Sequence, residues 1–167
     1  MAGMLTEEAK RVIAEQRLAF VATVCPDGTP NVSPKGTIAV WDDDHLVFAD
    51  IRSPATVANL GRNPAVELNV VDPFSRKGFR FKGTAEVLRD GDRFARILEF
   101  YRARRGDPAK PLPAIRAFVV VKVERVLPLI SPAYDDGTDE KSVRSRWLSH
   151  YSALHGGALS GRGANDE

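Results

Sequence analysis

The sequence predicts a mainly β domain, about six antiparallel strands closing into a small barrel with short helices at its flanks. Three observations carry that reading. Apolar, β-branched runs recur at residues 18–24, 46–49, 66–70, 79–88 and 117–127. Between them stand turn-forming groups such as Asp27-Gly28, Asp42-Asp43-Asp44 and Asp72-Pro73. No regular alternation of strand and long helix runs through the chain, which removes a doubly wound α/β sheet. A chain of 167 residues, 43% of them hydrophobic, suits one domain with one core.

Taken in order, Thr6 caps a helix whose first turn holds Glu7 and Glu8 and whose apolar face carries Ala9, Val12 and Ile13. Residues 18–24 form a strand, and Cys25-Pro26-Asp27-Gly28-Thr29-Pro30 turns it into a hairpin whose second arm starts at Asn31. The extended pattern continues past Pro34 through 35–41, and Asp42-Asp43-Asp44-His45 leads to the strand 46–49, so the first half reads as a meander. Ser53 then stands at an N-cap, and Pro54 opens a short helix that Gly61-Arg62-Asn63-Pro64 stops. Val66, Leu68 and Val70 alternate with Glu67 and Asn69, the pattern of a strand with one wet face, and 79–88 returns beside it. Asp92 caps a helix with Phe94, Ile97, Leu98 and Tyr101 on one face; residues 106–113 connect it to the last long strand, 117–127. Beyond Pro128, residues 139–151 form a helix carrying Val143, Trp147, Leu148 and Tyr151. The glycine-rich stretch 156–167 has the composition of a flexible tail.

Composition excludes several classes of function. Lys and Arg number 24 against 22 Asp and Glu, and a net charge of +2 is too weak a field to argue a nucleic-acid or membrane partner. The single cysteine, Cys25, rules out an internal disulfide framework and a cysteine-rich zinc site, and suits a reducing, cytoplasmic compartment. The opening residues lack the basic end and apolar run of a secretory leader, and no stretch approaches a membrane span. Gly-x-Gly-x-x-Gly, Gly-x-Ser-x-Gly and His-Glu-x-x-His motifs are missing. His45, His150 and His155 are too scattered for a metal site and read as solvated side chains.

The informative stretch is 31–64. Arg52, Ser53 and Thr56 surround the start of the short helix, where free backbone N–H groups and the helix dipole favour an anion. Lys35 can approach from the neighbouring strand, and in one reading the four residues cradle a phosphate. In the other, Ser53 is a cap, Arg52 a solvated loop charge and Lys35 a strand-edge lysine. Spacing alone leaves both open.

Ser33-Pro34-Lys35-Gly36, then the run from Leu46 through Phe48, Ala49, Asp50, Arg52 and Ser53 to Pro54, then Asn59-Leu60, Asn63-Pro64-Ala65-Val66 and Gly83-Thr84-Ala85-Glu86-Val87 stand in an order and spacing that resemble a known family. It is the FMN-binding split-barrel family related to pyridoxamine 5′-phosphate oxidase, and the resemblance runs from about Leu5 to Pro132. It implies a six-stranded antiparallel split β-barrel and a flavin-dependent oxidoreductase acting on a small molecule, with FMN held in the interface of a homodimer. In that scheme 1–132 is the FMN-binding barrel, 133–155 a helical extension and 156–167 a tail. Carried over by position, Ser33, Pro34, Lys35 and Gly36 run along the isoalloxazine edge, largely through backbone groups. Ala49 and Asp50 line the ring or ribityl chain, Arg52, Ser53 and Thr56 take the phosphate, and Asn59, facing solvent, is a weaker contact.

The chain also departs from the oxidases it resembles. Their helix start commonly carries an Arg-Lys pair after the serine; here Pro54-Ala55 follows, which leaves Arg52 and Lys35 to supply the positive charge. The Trp and Arg that close on the vitamer in the oxidases have no counterpart in context, since Arg146-Trp147 lies elsewhere, so vitamin B6 oxidation is not assigned. A flavin-binding carrier, sensor or storage protein without turnover is the alternative from another class. Deazaflavin F420 would need a long basic groove and haem an axial histidine, and both features are scarce. Trp41, Phe79, Phe81 and Trp147 are the apolar candidates for the dimer face.

Overall fold

The computed structural model describes residues 3–104 and 113–159, the last three of these by backbone alone. Its elements run α1 (Glu7–Gln16), β1 (Ala19–Val24), β2 (Pro30–Lys35), β3 (Ala39–Val40), β4 (His45–Asp50), α2 (Pro54–Arg62), β5 (Ala65–Asp72), β6 (Lys77–Leu88), α3 (Gly91–Ala103), β7 (Ala117–Ile130), a 3-10 turn at Pro132–Tyr134, and α4 (Glu140–Leu159). The antiparallel barrel class of the sequence reading holds, with seven strands instead of six. The added strand is β3, two residues long, inside the stretch read as a longer extension of β2.

Local signals explain most of the elements. The Thr6 hydroxyl accepts the Ala9 N–H at 3.2 Å, and α1 ends on Arg17 in the left-handed region at φ 50°. The β1–β2 turn places Gly28 at φ 83°, where a Cβ would be strained, and Asp27 Oδ1 accepts the Thr29 N–H at 3.0 Å. Three helices differ from expectation at their ends. α2 continues through Gly61 and Arg62 because Pro64, not the glycine, forbids the next turn. α3 starts one residue before Asp92, with Asp90 at the N-cap and no side-chain cap bond. α4 runs on to Leu159, into the stretch read as tail; 160–167 and all of the 106–113 connector except Pro113 lie outside the described residues.

The strand order is β2-β1-β5-β6-β7-β4-β3, all neighbours antiparallel. The first half is therefore not a meander. β2 and β3, consecutive in the chain, lie at opposite edges of the sheet. Seven strands laid flat would hold those edges roughly 29 Å apart, whereas the linker 36–38 spans at most about 14 Å. The sheet has to curl until its edges meet, and this makes a split barrel out of an open sheet. Pro30 and Pro34 sit on the edge strand β2, where their missing donors cost no ladder bond and block further pairing.

Two apolar clusters fill the two sides of the curled sheet. Inside, Val21, Leu46, Phe48, Leu68, Val70, Phe81, Val119 and Val121 pack with Ile13 of α1 and Leu60 of α2. Outside, Val47, Ala49, Phe118 and Val120 pack beneath Ile97 of α3. β4 and the first half of β7 are consequently buried on both faces, which is why they read as unbroken apolar runs. The residues expected at a dimer face are mostly taken: Phe81 is core, Phe79 packs against that core, Trp41 packs on Phe100 at 5.3 Å, and Trp147 lies under Arg76 at 3.4 Å. No described helix is long and apolar enough to cross a membrane.

Candidate functional site

The chain reversal at the C-terminal end of β4 brings three stretches together: the end of β2, the linker 36–38, and the start of α2. Asp50 organises it. Its Oδ1 accepts the Ser53 N–H at 2.9 Å and the Ser53 hydroxyl at 2.8 Å, closing a tight turn with Arg52 at its exposed tip. Ser53 occupies the N-cap position, but its hydroxyl is spent on Asp50 and does not cap. With Pro54 lacking an N–H, the first donors of α2 are left without a side-chain partner.

Lys35 is 5% exposed. Its ammonium donates to Ser33 Oγ and at 3.4 Å to the Pro34 carbonyl, and lies 5.8 Å from the Phe48 ring centroid. Burial holds its pKa below the ordinary lysine value, and the charge of Asp50 restores part of the loss. The strand-edge lysine of the blander reading is thus a buried cation beside the α2 turn, and no carboxylate of the described residues lies within ion-pair distance of it.

The linker is fastened from both sides. Thr37 Oγ1 accepts the Ala49 N–H at 2.9 Å, and the Tyr101 hydroxyl of α3 donates to Thr37 O and, at 3.2 Å, to Val47 O. The Tyr101 ring stacks on Phe118 with centroids 5.2 Å apart, and burial pushes its phenol above the ordinary range, so it remains a donor.

Of the residues singled out in the sequence, Ser33, Lys35, Asp50 and Ser53 converge here, with Pro34, Gly36 and Arg52 exposed around them. Ala49 has its methyl in the cluster under α3 and presents little surface. Thr56 points elsewhere: its hydroxyl accepts from Asn31 Nδ2 at 3.4 Å, in a polar group that also contains Thr23 and Asn59. Asn59, expected to face solvent, is 5% exposed and donates to Thr23 Oγ1 at 3.1 Å. Thr23 and Asn31 were missed by sequence reasoning. The available signal was Thr23 itself, the polar member of the buried row Ala19, Val21, Thr23 on β1.

Comparisons with known proteins show the family and the fold. Residues 5–129 match the family described as pyridoxamine 5′-phosphate oxidase. Protein MJ0282 of Methanocaldococcus jannaschii is 32% identical over 129 residues, 76% of this chain and 82% of that protein. The crystal structure of HupZ from Group A Streptococcus is 33% identical, with a TM-score of 0.66 over 77% of this chain and 96% of that one. An F420 reductase structure is 26% identical, with a TM-score of 0.56 over 74% of this chain and 98% of that one.

Proposed function

Because the chain belongs to the pyridoxamine 5′-phosphate oxidase family, we propose that the turn between β4 and α2 binds FMN and that the protein is an FMN-dependent oxidoreductase. The observation that carries this reading is the positive charge left over at that turn. Lys35 and Arg52 make no ion pair among the described residues, and the first donors of α2 carry no side-chain cap. A buried cation without a partner costs stability, so its retention beside an uncapped helix start fits an anionic ligand.

The residues present suit the group. Lys35, Arg52 and the first N–H groups of α2 would hold the phosphate, and the backbone of Ser33, Pro34 and Gly36 would run along the ring. FMN, when bound, supplies hydride or electron transfer. The chain's own work is to bind and orient: Asp50 fixes the turn that carries Arg52, Tyr101 and Thr37 fix the linker that carries Gly36, and the low dielectric around Lys35 strengthens its pull on an anion. Thr56 supports the helix start from behind, through Asn31. The flavin site lies wholly within 1–132, and the helical extension is outside it.

A homodimer is part of the same proposal. The face of β1 and β2 exposes Phe20 at 49% and Val32 at 61%, flanked by Pro30 and Pro34, a patch suited to a second copy. Sedimentation at the mass of one chain, with FMN present at micromolar protein, would remove this part.

The deciding experiment is the visible spectrum of the purified protein titrated with FMN, together with quenching of flavin fluorescence. Stoichiometric perturbed flavin absorbance is expected; its absence together with unquenched fluorescence overturns the reading. The similarity to an F420 reductase favours one second reading, a deazaflavin in the same site. Tighter binding of F420 than of FMN in a competition titration would replace the first by the second.

A further inference from the structure

The inner face of β2 is polar, while its outer face is apolar. Asn31, Ser33 and Lys35 stand opposite Thr23, Val21 and Ala19, which are buried inside the barrel, whereas Pro30, Val32 and Pro34 fall on the other face. An apolar row would suffice to close a barrel, and each polar member of this one needs a partner. Asn31 has its own: the amide donates to Thr23 Oγ1 at 3.1 Å and to Thr56 Oγ1, in the first turn of α2, at 3.4 Å. Lys35, at the other end, feels the charge of Asp50 at the close of β4. Ser33 stands between the two and fronts the gap between β2 and the start of α2.

The bonding of Ser33 is one-sided. Its Oγ accepts from the Lys35 ammonium, and among the described residues nothing accepts its proton. An ammonium has three donors and no acceptor, so the hydroxyl hydrogen has to turn away from Lys35. The side chain is half-buried, and its unspent donor stands beside a helix start whose first N–H groups also lack a side-chain cap. The charges of the strand ends and the turn do not cancel: Lys35 and Arg52 stand against Asp50, whose Oδ1 is spent on Ser53.

We propose that the Ser33 hydroxyl is a direct donor to the phosphate of FMN, turned towards it by Lys35 and acting beside it. This role rests on the flavin reading and adds to it, since the family resemblance gives Ser33 a place along the ring largely through its backbone. A bare phosphate oxygen suits the hydroxyl: it can only accept, and a hydrogen bond to a charged group is stronger than one to a neutral group. Riboflavin ends there in a neutral hydroxyl, so Ser33 favours FMN over riboflavin. A serine that merely held Lys35 in place would lose its effect once the lysine is gone, whereas a direct donor keeps its own.

The test is a fluorescence titration of the full chain with FMN and with riboflavin, in the wild type, Ser33→Ala, Ser33→Thr, Lys35→Met and the double variant Ser33→Ala with Lys35→Met. The phosphorus NMR resonance of bound FMN is the second readout. Ser33→Ala should raise the FMN dissociation constant at least about tenfold, leave that of riboflavin within about twofold and move the phosphorus resonance, while Ser33→Thr stays near the wild type. On the Lys35→Met background, Ser33→Ala should still weaken FMN at least about threefold. FMN binding that Ser33→Ala leaves unchanged, equal weakening of riboflavin, or a double variant no weaker than Lys35→Met would each overturn the role of Ser33 and leave the flavin reading standing. A wild type that binds no FMN would overturn the flavin reading, and the role of Ser33 with it.

Discussion

The seat of α4 and the start of α2 use the same kinds of residue in opposite ways. Under α4, Arg144 meets Asp72 at 2.7 Å, Lys77 meets Glu140 at 2.9 Å, and the Tyr134 hydroxyl donates to Ser75 O at 2.6 Å. Arg76 stacks over Trp147, Phe74 packs edge-on against Tyr151, and Val143 is the fully buried aliphatic anchor. There most charges answer one another, Arg76 alone spending its guanidinium on the Trp147 face instead of a carboxylate, and the helix is held by what it touches. At α2, Lys35 finds only a hydroxyl and a carbonyl, and Arg52 projects from the tip of its turn. A charge with its partner in the chain serves the fold, whereas one without a partner is available to a ligand.

The comparison breaks most visibly at Arg52. A hydrogen bond to a charged group contributes about 1.5–3 kcal/mol, so Arg52→Ala should weaken FMN binding roughly 10- to 150-fold and leave riboflavin, which lacks the phosphate, nearly unchanged. Equal weakening of both ligands in a fluorescence titration would show that Arg52 merely shapes the turn. The corresponding change under α4 should act on stability instead. Asp72→Ala leaves Arg144 with Glu140 as its one carboxylate partner and strands the Phe74 N–H, which Asp72 Oδ1 accepts at 2.8 Å, and should cost about 1–3 kcal/mol in urea unfolding without altering FMN affinity. A loss of flavin binding in that variant would join the two regions and end the contrast.

Lys35→Met separates the roles inside the site. Removing a buried, unpaired ammonium for an apolar side chain of similar length should leave the flavin-free protein as stable or up to about 1 kcal/mol more stable, while FMN binding weakens. Parallel losses in both measurements would mean that Lys35 serves the fold.

The smallest effect is in pH: stability rises with pH through both groups, but at opposite ends of the scale, because at neutral pH the shift of Lys35 costs stability and that of Asp72 contributes it. The folded pKa of Lys35 lies below its ordinary 10.5, so the unfolded chain holds that proton more tightly, and stability of the flavin-free protein rises as pH climbs through the folded value towards 10.5. For Asp72, burial alone would raise the pKa, but the N–H groups of Phe74 and Ser75, the Ser75 hydroxyl and Arg144 together lower it. Its contribution is complete above the ordinary 3.8 and is lost as pH falls through the lower folded value. Urea midpoints against pH for the wild type, Lys35→Met and Asp72→Asn should show the alkaline gain vanish in the first variant and the acid loss shrink in the second. An alkaline gain that persists in Lys35→Met would assign it to another group.

Much of the fold was legible because its signals are local. Thr6, the Asp27-Gly28 turn, Ser53-Pro54 and the Val66-Leu68-Val70 alternation each act within a few residues of themselves, and each element stands where these signals place it. The site was legible in part for the same reason: Arg52, Ser53 and Asp50 are adjacent in the chain, and Lys35 closes a strand. Residues whose roles depend on which partner the side chain meets were misread. Ser53 looked like a cap, although Asp50 three residues before it claims its hydroxyl, and Asn59 looked solvated because Thr23, its partner, is 36 residues away.

By itself the sequence determined the β-rich class, the Thr6 cap of α1 and the tight turns, all of which follow from backbone chemistry at short range. Tertiary structure decided the rest. A three-residue linker between edge strands forced the sheet to curl, and the curl carried Lys35 out of water and set it beside Asp50. Whether a lysine is a solvated edge charge or a buried cation in want of an anion depends on what surrounds it, and those surroundings come from strands far away in the chain.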